Sequence, residues 1–128
     1  MLRNRYLTPF IIKDLKDKMV FIGGPRQVGK TTLCKNIIAK HFKSSSYFNW
    51  DNRGDRKAVI ASTWPADAEL LIFDEIHKYR QWKGLIKGEY DKLKDKYKFL
   101  VTGSARLDLY RRGGDSLQGR YHYYRLHP

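Results

Sequence analysis

Gly24-Pro25-Arg26-Gln27-Val28-Gly29-Lys30-Thr31 fits the pattern G-x-x-x-x-G-K-[ST] at every constrained position. The residues on either side supply the context that this loop requires. Met19-Val20-Phe21-Ile22 before it reads as a short buried strand, and Thr31 to Phe42 after it reads as a helix. A loop of this kind holds a polyphosphate because its glycines let the backbone turn N–H groups inward, while the helix that follows adds its positive dipole end. Gly24 to Thr32 are therefore the candidate binding residues for a nucleoside triphosphate. Lys30 is expected to reach the β- and γ-phosphates, and the Thr31 hydroxyl to ligate Mg²⁺. Arg26 either contacts the γ-phosphate or a neighbouring element, or is a solvated loop arginine.

Working outward, Leu70-Leu71-Ile72-Phe73 is a continuous apolar run, as expected of a parallel strand buried on both faces, and it ends in Asp74-Glu75. An acid at the carboxyl end of such a strand can hold hydrated Mg²⁺, and a second beside it can orient and polarise water. Asp74 takes the metal role and Glu75 the catalytic one; a solvated acidic pair at a strand end is the plainer alternative. A third strand, Phe99 to Thr102, ends in small hydroxyl residues, so Thr102 and Ser104 are both candidates to sense the γ-phosphate. Ser104 can equally cap a following helix with Gly103 as its turn.

The remaining elements alternate between helix and strand. An amphipathic helix is expected over Pro9–Lys18, a strand over Tyr47–Asp51, and a helix over Arg53–Thr63 stopped by Trp64-Pro65. A helix over Gln81–Lys94 should be interrupted or loosened by Gly84 and Gly88. A short helix around Arg106–Arg111 and a loop at Gly113-Gly114-Asp115 lead to a last strand over Tyr121–Leu126. Five strands with crossover helices predict an α/β fold, a mostly parallel sheet covered on both faces, with its ligand beyond the carboxyl ends of the strands. Asp51 either supports Mg²⁺ from a distance or forms a turn with Asn52, the turn being the simpler account.

Length and composition fit one domain spanning 1–128. No apolar stretch is long enough to cross a membrane, and Met1–Phe10 has no signal-peptide core, so a cytoplasmic protein is expected. The single cysteine, Cys34, excludes an internal disulfide, and the four histidines show no zinc-ligand spacing. The net charge of +13, from 26 Lys and Arg against 13 Asp and Glu, opens another class: contact with DNA or RNA through a basic surface. Tyr121, Tyr123, Tyr124 and Arg125 could stack on bases, or the tyrosines could simply build the last strand.

Four segments together resemble a known family. Residues 24–33, Leu71-Ile72-Phe73-Asp74-Glu75-Ile76-His77-Lys78, Val101-Thr102-Gly103-Ser104-Ala105-Arg106-Leu107-Asp108 and Ser116-Leu117-Gln118-Gly119-Arg120-Tyr121 are similar to the AAA-type domain of a group of archaeal and bacterial ATPases. The resemblance implies a P-loop NTPase three-layer sandwich with the strand order 5-1-4-3-2, and ATP as the nucleotide. Members of that group usually continue into a C-terminal domain, so the chain is expected to be an ATPase core cut short of its lid or effector. Arg111, Arg112 and Arg120 fall where such a core commonly faces a neighbouring subunit's γ-phosphate. Arg120 is the first choice for a finger in a homo-oligomer; local pairing at the start of its strand is the alternative. The function expected is Mg²⁺-dependent ATP binding with weak hydrolysis to ADP. The alternatives are an ATP-binding switch or scaffold with little turnover, and a nucleic-acid-binding module with a nucleotide site.

Overall fold

In the computed structural model of this chain, residues 6–24, 29–103 and 119–126 are described. The five strands are β1 (Met19–Gly23), β2 (Ser45–Asn49), β3 (Leu70–Asp74), β4 (Lys98–Gly103) and β5 (Tyr121–Arg125). They form one sheet in the order β2-β3-β4-β1-β5, and every neighbouring pair is parallel. Read from the other edge this is 5-1-4-3-2, the order that the resemblance implies. The helices are α1 (Thr8–Leu15), α2 beginning at Lys30–Thr32, α3 (Arg53–Ala61) and α4 (Trp82–Leu93).

Strand parity divides the core into two layers. Val20, Ile22, Leu70, Ile72 and Leu100 face α1 and α2, where Ile11, Leu15, Leu33, Cys34 and Ile38 cover them. Met19, Phe21, Leu71, Phe73, Phe99 and Val101 face the other way, against Val59 of α3 and Trp82, Ile86 and Tyr90 of α4. The central strands are buried along their length, which is why they read as unbroken apolar runs.

Three local expectations need correction. Strand β2 ends at Asn49, two residues short of Asp51, because its register with β3 runs out at Asn49↔Asp74. There Asn49 turns the chain: its side-chain Oδ1 accepts the Asp51 N–H at 2.9 Å. Helix α4 is not interrupted at its glycines. A Cβ at Gly84 or Gly88 would meet nothing within 4 Å, so each costs about 1 kcal/mol in propensity. Burial of Trp82, Ile86 and Tyr90 at four-residue spacing outweighs that cost. Helix α2 is not uniform: after one α-helical turn it widens to a π-helix over Leu33–Ile38 and closes with a 3₁₀ turn over Ala39–His41. The wider turn brings Leu33 and Ile38, five residues apart, to the same buried face.

Helix α3 starts and stops close to its expected bounds. The Asn52 side chain caps it by accepting the Asp55 N–H at 3.0 Å, and Ser62 ends it in the left-handed region at φ 54°. The helix expected around Arg106–Arg111 and the Gly113-Gly114-Asp115 loop lie outside the described residues.

Candidate functional site

The functional side chains gather at the carboxyl edge of the sheet because parity aims them there. Asp74 continues the series Leu70, Ile72 on β3, and Thr102 continues Leu100 on β4, so both face the layer of α2. Between these strands and β1 the chain passes through Gly24 to Gly29, which holds φ 85° just before Lys30. That left-handed conformation favours glycine, and it launches α2 across the strand ends.

Asp74 is the centre of the cluster and is only 5% exposed. Its Oδ1 accepts from the Thr102 hydroxyl at 2.6 Å, and its Oδ2 accepts from the Thr31 hydroxyl at 3.0 Å. Oδ2 also accepts from the Tyr47 hydroxyl, which reaches across from β2. Burial of the Tyr47 phenol, and next its bond to Asp74, push its pKa upward, so it stays a protonated donor. Lys30 is buried at 7% exposure, and its Nζ donates to the Gly24 carbonyl at 2.6 Å. An ammonium, two threonine hydroxyls and a carboxylate are thus held together by residues from β1, α2, β3 and β4. Thr32 follows Thr31 in the same helical turn.

Glu75 leaves the strand at φ 61°, a left-handed conformation that is costly for a side chain of this kind. Its N–H donates to the Thr102 carbonyl at 3.0 Å. Its Oε2 lies 3.4 Å from His77 Nε2 and 3.7 Å from Lys78 Nζ. Burial lowers the His77 pKa, partly offset by the Glu75 carboxylate, and His77 Nδ1 is buried without a hydrogen-bond partner. Lys78 Nζ also donates to both oxygens of Asp51, at 2.8 and 3.0 Å. Asp51 is accordingly a half-exposed turn residue in an ion pair beside Glu75.

Arg120 stands at the other end of the sheet. It directly precedes β5, whose first residue pairs with Met19 at the start of β1, so a whole strand length separates it from Gly24. Its guanidinium makes two hydrogen bonds to Asp91 of α4, at 2.8 and 3.0 Å, and holds that exposed carboxyl below its usual pKa. Within one chain it is not brought to Asp74. Among the tyrosines, Tyr121 stacks on Phe21 with ring centroids 5.0 Å apart, Tyr123 covers Gly23, and Tyr124 donates to Asp14. All three are half-buried parts of the last strand. Pro25, Arg26, Gln27, Val28, Ser104, Arg111 and Arg112 lie outside the described residues.

Three residues of this neighbourhood escaped the sequence reading as participants: Tyr47, His77 and Lys78. The signal for the last two was their position in the turn directly after Asp74-Glu75. For Tyr47 it was strand parity, which is useful only once β2 is known to lie beside β3.

Residues 16–128 match the family model described as an AAA domain. Structural likeness covers almost the whole chain. The Thermotoga maritima RuvB Holliday junction branch migration motor superposes with a TM-score of 0.60 at 21% identity, over 97% of this chain and 44% of that one. The T158V form of the same RuvB gives a TM-score of 0.62 at 20% identity, over 98% of this chain and 45% of that one. Caenorhabditis elegans PCH-2 gives 0.56 at 16% identity, over 96% and 40%. At these identities the likeness shows the fold, and this chain spans less than half the length of each. No curated protein sequence matches it.

Proposed function

Because the chain belongs to the AAA domain family and has the fold of an AAA+ P-loop ATPase, we propose that it binds Mg²⁺·ATP at the carboxyl edge of β1, β3 and β4 and hydrolyses it slowly. One observation carries this reading: the Thr31 and Thr102 hydroxyls converge on the buried Asp74 carboxylate beside the buried Lys30 ammonium. The donor set fits Mg²⁺. It is made of oxygen atoms, and no group of three or more His, Cys, Asp or Glu side chains able to hold a metal occurs among the described residues. A single carboxylate with a hydroxyl, completed by substrate phosphates and water, is the kind of site that Mg²⁺ uses.

In this proposal Gly24 to Thr32 cradle the phosphates, and Lys30 compensates their negative charge. Thr31 and Asp74 hold the cation, which when bound neutralises charge on the phosphates. The Thr31 proton is committed to Asp74, so the lone pairs of its oxygen remain for a cation. Glu75 accepts the proton of the attacking water, and Thr102 reports on the γ-phosphate through its bond to Asp74. The slow rate is supported by the surroundings of Glu75, whose carboxylate faces His77 and the Lys78 cation and must leave them to act as a base.

The partner proposals rest on less. Arg120 enters as an arginine offered to a second copy of the chain, and the +13 charge supports contact with DNA or RNA. No helix among the described residues is long and apolar enough to cross a membrane.

The chemistry is tested with Glu75→Gln, which keeps the side chain's size and removes its basicity. We expect ATP binding within about threefold of wild type and turnover lowered by about 10²–10⁴-fold. Wild-type turnover in this variant would remove Glu75 from the mechanism.

A further inference from the structure

We propose that Tyr47 is a positioning residue for the divalent cation, its hydroxyl fixing the Asp74 carboxylate in the orientation that receives Mg²⁺. The inference rests on the Mg²⁺·ATP reading above and adds to it a residue on a strand that contributes nothing to the phosphate loop.

Tyr47 lies in the middle of β2 opposite Ile72, and it packs on the same layer as Ile72 and α2. Asp74 is two residues further along β3, about 6.6 Å at 3.3 Å per residue. A phenol spans that distance and a serine or threonine does not. The ring is held from the helix side as well: Lys35 Nζ of α2 sits 4.3 Å from its centroid, a cation–π contact. The hydroxyl is therefore delivered to Asp74 Oδ2 by a side chain tied to both layers.

The fixing matters because the terminal torsion of an aspartate is soft. Rotation of the carboxylate plane has broad, shallow minima, so hydrogen bonds and not rotamer preference decide where its lone pairs point. An ionised carboxylate offers about four acceptor positions. Here Thr31 and Tyr47 take two on Oδ2, and Thr102 takes one on Oδ1. One acceptor direction is left. Thr31 is the residue whose oxygen is also needed by the cation, and Thr102 belongs to the sensing strand. Tyr47 is the donor with no other task in the site, and it holds the plane while the other two respond.

A purely structural Tyr47, serving only to satisfy a buried carboxylate, predicts a different result from a positioning one. The test uses Tyr47→Phe, which keeps the ring for Lys35 and the core and removes the hydroxyl. Binding of a fluorescent ATP analogue is titrated with Mg²⁺ and repeated in EDTA. We expect the Mg²⁺ concentration for half-maximal binding to rise about tenfold, as for loss of an outer partner of a metal ligand, while metal-free affinity stays within about twofold. An unchanged Mg²⁺ half-saturation overturns the proposal, whether or not the variant melts at a lower temperature. If the phenylalanine variant does not fold, Tyr47→Met, which has similar reach and no donor, is read by the same criterion. Lys30→Met separates the two levels of the argument. If it leaves Mg²⁺·ATP affinity unchanged, the nucleotide site itself is wrong; if it weakens binding while Tyr47→Phe leaves the Mg²⁺ dependence unmoved, only the role of Tyr47 is.

Discussion

Replacing Lys30 by methionine should weaken ATP binding without weakening the fold, and the opposed signs follow from where the ammonium sits. Lys30 is 7% exposed, so its charge is held largely out of water. Its Nζ donates to the Gly24 carbonyl at 2.6 Å. The effective penalty for burying an ion is several kcal/mol, whereas the carbonyl orphaned by the substitution costs about 1–3 kcal/mol. Methionine keeps the apolar stem, so the nucleotide-free protein should be as stable as wild type or more so. The nucleotide complex loses a charge-assisted contact worth about 1.5–3 kcal/mol. At about 1.4 kcal/mol per factor of ten, this raises Kd by about 10–150-fold. Calorimetric titration with ATP and Mg²⁺ measures the affinity, and urea unfolding of the nucleotide-free protein measures the stability. A folded Lys30→Met chain that binds ATP as tightly as wild type would refute the assignment. A large loss of stability would show instead that the buried ammonium holds the loop together.

Two further outcomes are expected. Burial lowers the His77 pKa below its ordinary 6.5, so the unfolded chain takes up this proton first as the pH falls. The stability that neutral His77 contributes is complete above about pH 6.5 and is lost as pH falls from there toward the folded pKa; a His77→Asn chain should show a smaller drop in urea midpoint between pH 7.5 and 5, and an equal drop would sink the idea. For Arg120, chains carrying Arg120→Ala are mixed with Lys30→Met chains: ATPase activity recovered in proportion to concentration supports action in trans, and no recovery in a sample shown to be oligomeric overturns it.

The parts of the fold legible in the sequence are those decided by local physics. The apolar runs at Met19–Ile22, Leu70–Phe73 and Phe99–Val101 could only be strands buried on both faces, and the glycines and lysine between β1 and α2 required a phosphate loop. What was misjudged depended on neighbours distant in sequence. The bounds of β2 are set by where β3 ends, and Gly84 and Gly88 are overruled by Trp82, Ile86 and Tyr90 pressing on the sheet. Arg120 is instructive in the opposite sense. A residue that precedes a parallel strand must lie at the sheet's amino end, so its distance from Asp74 within one chain was available from topology alone.

The turn at Glu75 carries the last step. A glycine or asparagine is the usual occupant of a left-handed position, and a glutamate there at φ 61° costs about 1–2 kcal/mol. The conformation persists because it is held from both sides. The Glu75 N–H is bound to the Thr102 carbonyl at 3.0 Å, and the side chain faces His77 and Lys78. Thr102 also donates its hydroxyl to Asp74. One residue of β4 therefore grips both acids, one through its side chain and one through its backbone. A γ-phosphate that drew the Thr102 hydroxyl away from Asp74 would act on the same short segment that anchors the strained turn of Glu75. Sensing and base positioning are in this way mechanically joined at Thr102, a coupling that neither the acidic pair nor the threonine discloses when read alone.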